Sequence, residues 1–246
     1  MKRVSRIVFV LAAVILLSAC ALQAKAKTYV TPAELDLVKL LPPPPAQDSE
    51  ATKKEIEEIL NFQENRTDKM TAYAMADQEI SIFRFGDVMG DKFTKENLPI
   101  TEEFFHNVTA NASAISGPAK DYWKRPRPSV FDPRVKPCVK VPPNAAYPSG
   151  HSTAGNLMAI ILANMVPEKS SEIFGRGWAF AVNRIIGGVH YRSDSEAGRM
   201  AATVIAAYMF KNSDFMADYD KSRAEIRRVL GYDEKTPAAT GAKTGK

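Results

Sequence analysis

Two of the three histidines in this 246-residue chain stand in surroundings suited to chemistry at an anion. His151 ends the run Pro148-Ser149-Gly150-His151, just ahead of an apolar stretch from Leu157 to Val166. A glycine ahead of a helix lets the backbone come close to a ligand. The helix N-terminus adds free N–H groups and the positive end of the dipole, which suits phosphate. Ser149 offers a hydroxyl as a further donor; the plainer alternative is that Ser149 or Ser152 caps the helix and His151 is a surface residue. His190 lies in Asn183-Arg184-Ile185-Ile186-Gly187-Gly188-Val189-His190-Tyr191-Arg192-Ser193-Asp194. Asp194, four residues on, reaches the ring if the segment turns helically, fixing the tautomer and leaving the other nitrogen to act. Otherwise Asp194 caps a helix and the histidine is incidental. His106, beside Phe104 and Phe105 in an amphipathic pattern, reads as a partly buried helix residue.

A third block, Lys120-Asp121-Tyr122-Trp123-Lys124-Arg125-Pro126-Arg127-Pro128, concentrates cations in a proline-stiffened segment. Arginine forks match phosphate oxygens bidentately and lysine adds a compact charge. Any one of these residues alone would read as part of a solvated face. Cys138 has no histidine beside it in sequence and reads as a bystander thiol.

The elements that must position these blocks are helical. Ile56, Ile59 and Leu60, then Phe104, Phe105, Val108, Ala112 and Ile115, recur at helical spacing. Thr101 with Glu103 resembles a helix start. Leu157 to Val166 is apolar on nearly every face and predicts a central buried helix. Ala197, Met200, Ala201, Val204, Ile205, Tyr208 and Met209 form one ladder, and Phe215, Tyr219, Ile226 and Leu230 another. No stretch alternates with period two, so the class is all-α. Residues 117–148 hold eight prolines, which predicts a long structured loop in place of a continuous helix.

Composition is ordinary for a folded chain, with 45% hydrophobic and 25% charged residues. Lys2, Arg3, Arg6 and Lys25 lie in the first 26 residues, and discounting them takes the formal net charge from +5 to +1. Nothing in that balance predicts a nucleic-acid polymer as partner. The basic start, the apolar run Ile7 to Leu17 and the small residues after it fit a signal peptide over 1–26, too short to span a bilayer comfortably. Leu17-Ser18-Ala19-Cys20 offers a competing lipoprotein cleavage after residue 19, with Cys20 lipidated and anchored to a membrane. Residues 27–50, with Pro42 to Pro45, read as an extended arm packed on the helical domain at 51–232, and 233–246 as a disordered tail.

The three blocks together, Lys120 with Arg127-Pro128, then Pro148-Ser149-Gly150-His151, then Arg184 with His190 and Asp194, resemble the signature of the type 2 phosphatidic acid phosphatase and vanadium haloperoxidase superfamily. Within it the chain is most similar to the bacterial class A non-specific acid phosphatases, over about residues 30–230. The resemblance implies a compact all-α, bundle-like domain, exported to the periplasm, that hydrolyses phosphate monoesters at acidic pH. It implies His190 as nucleophile, Asp194 as its orienting partner and His151 as acid and base. Lys120, Arg127, Ser149, Gly150 and Arg184 would hold the phosphate. No metal or cofactor is implied; the partners are small phosphomonoesters and inorganic phosphate, with vanadate an inhibitor, and a homo-oligomer is compatible with the sequence. A vanadate-dependent haloperoxidase, a lipid-anchored phosphatase of lipid phosphates and a non-catalytic phosphate-binding lipoprotein are the rivals. The family's third block usually begins Ser-Arg, and Asn183-Arg184 departs from it, which puts one phosphate contact in doubt.

Overall fold

The computed structural model describes residues 26–232; the signal-peptide and Cys20 lipidation readings and the tail at 233–246 lie outside them. The helices among these residues are α1 (Leu37–Leu40), α2 (Glu50–Asn65), α3 (Asp68–Ala76), α4 (Gly86–Met89), α5 (Pro99–Trp123), α6 (Pro128–Phe131), α7 (Gly150–Met165), α8 (Ser170–Ile186), α9 (Arg192–Met209) and α10 (Ser213–Leu230). No strand occurs among the described residues, so the all-α expectation stands.

The apolar α7 is the axis of the bundle. Leu157, Met158, Ala159, Ile161, Leu162 and Met165 are all buried, because α5, α8 and α9 pack around it. The α7–α8 contact is close because it is built from small residues. A Cβ on Gly177 would stand 2.5 Å from Ala159 Cβ and 2.9 Å from Gly155 O. On α9, Ala197, Ala201, Ile205 and Met209 face the core, whereas Met200 and Tyr208 of the expected ladder are exposed.

One sequence expectation about α5 needs correction. Its first residue is Pro99, two places ahead of Thr101, and its cap comes from far away in the chain. Glu225 of α10 accepts from Thr101 N at 2.8 Å, Thr101 Oγ1 at 2.7 Å and Ile100 N at 3.2 Å. A carboxylate there satisfies free N–H groups and complements the helix dipole. At the other end α5 runs through Pro118 to Trp123, so the expected loop begins seven residues later than 117. A proline inside a helix costs about 3 kcal/mol. Burial of Ile115 and Ala119 on either side of it, and the anchoring of Lys120, offset that cost. Lys124, in the left-handed region at φ 47°, then ends the helix.

Residues 26–49 lie along the bundle. Tyr29, Val30, Leu35, Leu37 and Leu41 are buried in the main core, and Tyr29 N and Val30 N both donate to Asn111 Oδ1, at 2.8 and 3.1 Å. Tyr147 O–H reaches across to Pro42 O. Gly177→Ala is expected to lower stability by about 1–3 kcal/mol, the usual cost of overpacking. The shift in the urea unfolding midpoint measures it.

Candidate active site

The three sequence blocks converge at the N-terminal end of α7. Lys120, Arg127, Gly150, His151 and His190 line one cavity of about 210 Å³. Ser149, Arg184 and Asp194 are buried beside them. The last turn of α5 delivers Lys120. The left-handed Lys124 reverses the chain so that Arg125 and Arg127, the next cations, turn inward and are buried. Arg184 comes from the last turn of α8, and His190 from the turn between α8 and α9. That turn needs Gly188, whose φ of 74° an L side chain rarely adopts.

Asp194 does not reach His190 around a helical turn. It is the third residue of α9 and closes the helix start: Oδ2 accepts from Tyr191 N at 2.9 Å and contacts His190 Nδ1 at 3.1 Å. The other ring nitrogen, Nε2, lies 2.7 Å from Arg127 Nη1. A guanidinium only donates, so Nε2 accepts and the ring hydrogen sits on Nδ1, facing Asp194. His151 has the opposite tautomer. Its Nε2 lies 3.2 Å from Gln78 O, a carbonyl that only accepts, so Nε2 carries the hydrogen and Nδ1 is bare. Ser149 does cap α7, accepting from Ser152 N at 3.3 Å, which leaves its hydroxyl hydrogen to offer.

The cations are anchored on the loop they shape. Lys120 Nζ donates to Pro148 O at 2.6 Å and Ala145 O at 2.9 Å. Arg127 donates to Asn144 O at 3.0 Å, Asn144 Oδ1 at 2.7 Å and Val189 O at 2.9 Å. Arg184 differs. It is 1% exposed, and its Nε and Nη1 find no acceptor among the described residues. Burial pushes Lys120 down to about 7, with Arg127 adding to the effect. Burial likewise takes Arg127 and Arg184 down to about 10. His151 falls to about 3, from burial and then the Arg184 charge, and His190 falls well below the usual range from burial and the Arg127 and Lys120 charges. Cations that resist ionisation beside neutral histidines form a site that favours an anion.

Several sequence readings change. Asn183 does not face the cavity with a free amide: its Nδ2 donates to Asp77 Oδ2 at 2.8 Å. Asp77, fully buried, also binds Arg176 at 2.6 and 3.0 Å and Arg84 at 3.0 Å. This cluster fixes the residue before Gln78, whose carbonyl holds His151. His106 is exposed on α5, not partly buried. Sequence reasoning passed over Gln78, Asn144, Glu55 and the buried Ser116 hydroxyl, which lines the cavity without a protein partner. It also assigned nothing to Arg125, although that residue stands two places before Arg127 in the same stiffened segment. Arg184→Met is expected to stabilise the protein in phosphate-free buffer by about 1–3 kcal/mol, the cost of unsatisfied buried donors. The same variant should lose the rise in melting temperature that added phosphate produces, as thermal unfolding with and without phosphate will register.

Residues 104–215 match the model of the PAP2 superfamily. The chain is 30% identical over 199 residues to a non-specific acid phosphatase of Salmonella typhimurium, covering 77% of this chain and 78% of the relative. It is 35% identical over 118 residues to an acid phosphatase of Zymomonas mobilis, covering 46% of this chain and 44% of that one. Among solved structures, a bacterial vanadium-dependent iodoperoxidase superposes with a TM-score of 0.56 at 20% identity, over 70% of this chain and 52% of that one. The chain thus spans about half of the iodoperoxidase, and that likeness carries the fold alone. Fold, family match and similarity over about three quarters of the chain agree: the chain belongs to the non-specific acid phosphatases of the PAP2 superfamily.

Proposed function

We propose that this chain hydrolyses small phosphate monoesters at acidic pH through a phosphohistidine intermediate, with no metal. The observation that carries the reading is Arg184, a buried guanidinium with donors unmatched by the protein, set beside Lys120, Arg127 and two histidines of opposite tautomer. Phosphoryl transfer depends on alignment and charge neutralisation. Three fixed cations supply the neutralisation.

His190 Nε2 attacks phosphorus, and the phosphoryl oxygens take over the Arg127 donor that lies on it. The P–O bond to the alcohol breaks as the N–P bond forms. His151 Nδ1, bare at the start, takes the proton that the substrate monoanion brings and passes it to the departing oxygen. The phosphorylated ring is cationic, and its Nδ1–H stays on Asp194. Water then attacks phosphorus, His151 Nδ1 takes the water proton, and the N–P bond breaks to release phosphate. Lys120, Arg127, Arg184, Ser149 and the Gly150 N–H hold the oxygens throughout.

The low pKa of His151 means that this residue does not start out protonated. With His151 at about 3, the protein's own groups keep it neutral across the acidic range. The proton arrives instead with the substrate monoanion, whose second ionisation lies at about 6. The acidic optimum then follows from the substrate.

His190→Ala should abolish turnover and leave no acid-labile phosphoenzyme to trap by quenching; normal turnover in that variant would sink the mechanism. His151→Ala should lose about 10²–10⁴-fold in kcat, least with nitrophenyl phosphate, whose leaving group needs little protonation. Vanadate should inhibit and a chelator should leave the rate unchanged. In a pH series, kcat/KM should hold through the acidic range and fall above about 6 as the substrate monoanion is lost. It should steepen near 7, where Lys120 gives up its charge. A profile that rises through that window would contradict the assignment.

A further inference from the structure

Behind His190 runs a chain of buried charges that the steps above do not use. Arg125 Nη1 donates to Asp194 Oδ1 at 2.7 Å and to Ser193 Oγ at 2.7 Å. Its Nη2 donates to Glu55 Oε2 at 2.9 Å. Its guanidinium lies 3.9 Å from the centre of the Tyr191 ring, which stiffens the fork in place. Glu55, on α2, also accepts from Ser193 N, at the first turn of α9. Arg125 is 4% exposed, Glu55 9% and Asp194 0%. Removing such charges from water is costly unless geometry and pairing are close to complete, as they are here.

The consequence lies in where a hydrogen sits. Asp194 Oδ2 receives both Tyr191 N–H and His190 Nδ1–H. Burial pushes this carboxyl up toward its neutral form; Arg125 opposes that most strongly, and the balance stays upward even with Arg125 in place, so the carboxylate depends on every opposing charge. A neutral Asp194 with its hydrogen on Oδ2 would donate to Nδ1. The ring would then carry its own hydrogen on Nε2, the nitrogen that has to attack. Lys120, Arg127, His190, Tyr147 and the Tyr191 phenol also face this carboxylate. Lys120 and Arg127, however, are the cations a bound phosphate draws on, and the phosphate's own charge pushes Asp194 further toward neutrality. Arg125 faces away from the cavity lining and keeps its charge on Asp194 throughout.

We propose that Arg125, clamped by Glu55, is a positioning residue: it keeps Asp194 ionised, so that the His190 ring hydrogen stays on Nδ1 and the Nε2 lone pair stays free. The inference rests on the phosphohistidine reading above. Glu55 holds the guanidinium in register and ties α2 to the turn that carries His190.

The test combines spectroscopy with kinetics on the full chain. Only three histidines are present, so imidazole ¹⁵N spectra distinguish them readily. The unsubstituted protein should show His190 protonated at Nδ1, with and without inorganic phosphate. In Arg125→Met the hydrogen should move to Nε2 at acidic pH, most completely with phosphate bound. kcat should fall by about ten- to a hundredfold, as for other residues that orient a reacting ligand from behind, with little change in KM. The loss should deepen as pH falls, moving the acidic limb of kcat upward. Arg125→Lys keeps the charge and should keep both the tautomer and the limb. If the methionine variant does not fold, Arg125→Gln, a neutral side chain that still donates, carries the same expectations. An Nδ1–H ring in the neutral variants at every pH, or a loss uniform across pH, overturns the proposal. An unsubstituted chain without phosphatase activity fails the earlier reading instead, and the tautomer is read without turnover.

Discussion

Burying three cations within reach of one another is the constraint around which this structure is arranged. Lys120, Arg127 and Arg184 each resist ionisation in their surroundings, chiefly because water is excluded and partly because Arg127 faces the other two. Two of them are tolerated because backbone carbonyls of the loop ending at Pro148 receive their hydrogens. The relation is reciprocal: the loop takes its shape from the cations, and the cations take their positions from the loop. Arg184 has no such arrangement for two of its nitrogens, and the imbalance is what a bound oxyanion would relieve. Stability is thereby traded for affinity at one point in the fold, a pattern expected where a site is organised before its ligand arrives.

The two histidines are treated alike in one respect and oppositely in another. Each ring is fixed by an acceptor on its outer side, and a carboxylate gripped by arginine is that acceptor for His190 and the residue next to it for His151. Behind His190 the sequence of contacts is Asp194, Arg125, Glu55. Behind His151 it is the Gln78 carbonyl, adjacent to Asp77 with Arg176 and Arg84. The difference is which nitrogen is left bare: Nε2 on His190 and Nδ1 on His151. That complementarity suits one ring to bond phosphorus and the other to move a proton.

Much of this was legible in the sequence, because spacing within a block is enough to recognise local chemistry. The apolar α7, the helical class and the three blocks that meet at the cavity all follow from short-range pattern. What escaped was fixed by partners far away in the chain. Glu225 caps α5 across 124 residues, so the local pattern at Thr101 placed the start to within two residues but gave no sign of what satisfies it. Pro118 inside α5 is offset by the burial of its neighbours and by Lys120, whose partners lie more than twenty residues on. Asn183 read as an altered phosphate contact because its true partner, Asp77, lies 106 residues earlier. Arg125 was hidden by its neighbours, since a cation between Lys124 and Arg127 gives no sign that it faces a different carboxylate.

The anchoring of Tyr29 also bears on how the chain acquires its shape. Lys27 Nζ meets Asp218 at 2.7 Å across 191 positions, Tyr29 O–H meets the same carboxylate, and Asn212 Nδ2 reaches Tyr29 O. Closing a loop of that length carries an entropic cost of about 4–5 kcal/mol before any contact rewards it. A chain emerging from its N-terminus can pair this segment with Asn111 once α5 exists, but holds it without Asp218 until the first turns of α10 follow. The arm is therefore among the last segments to fasten fully. Until it does, the apolar groove that receives Tyr29 and Val30 stays open as a natural handle for whatever escorts the unfinished protein.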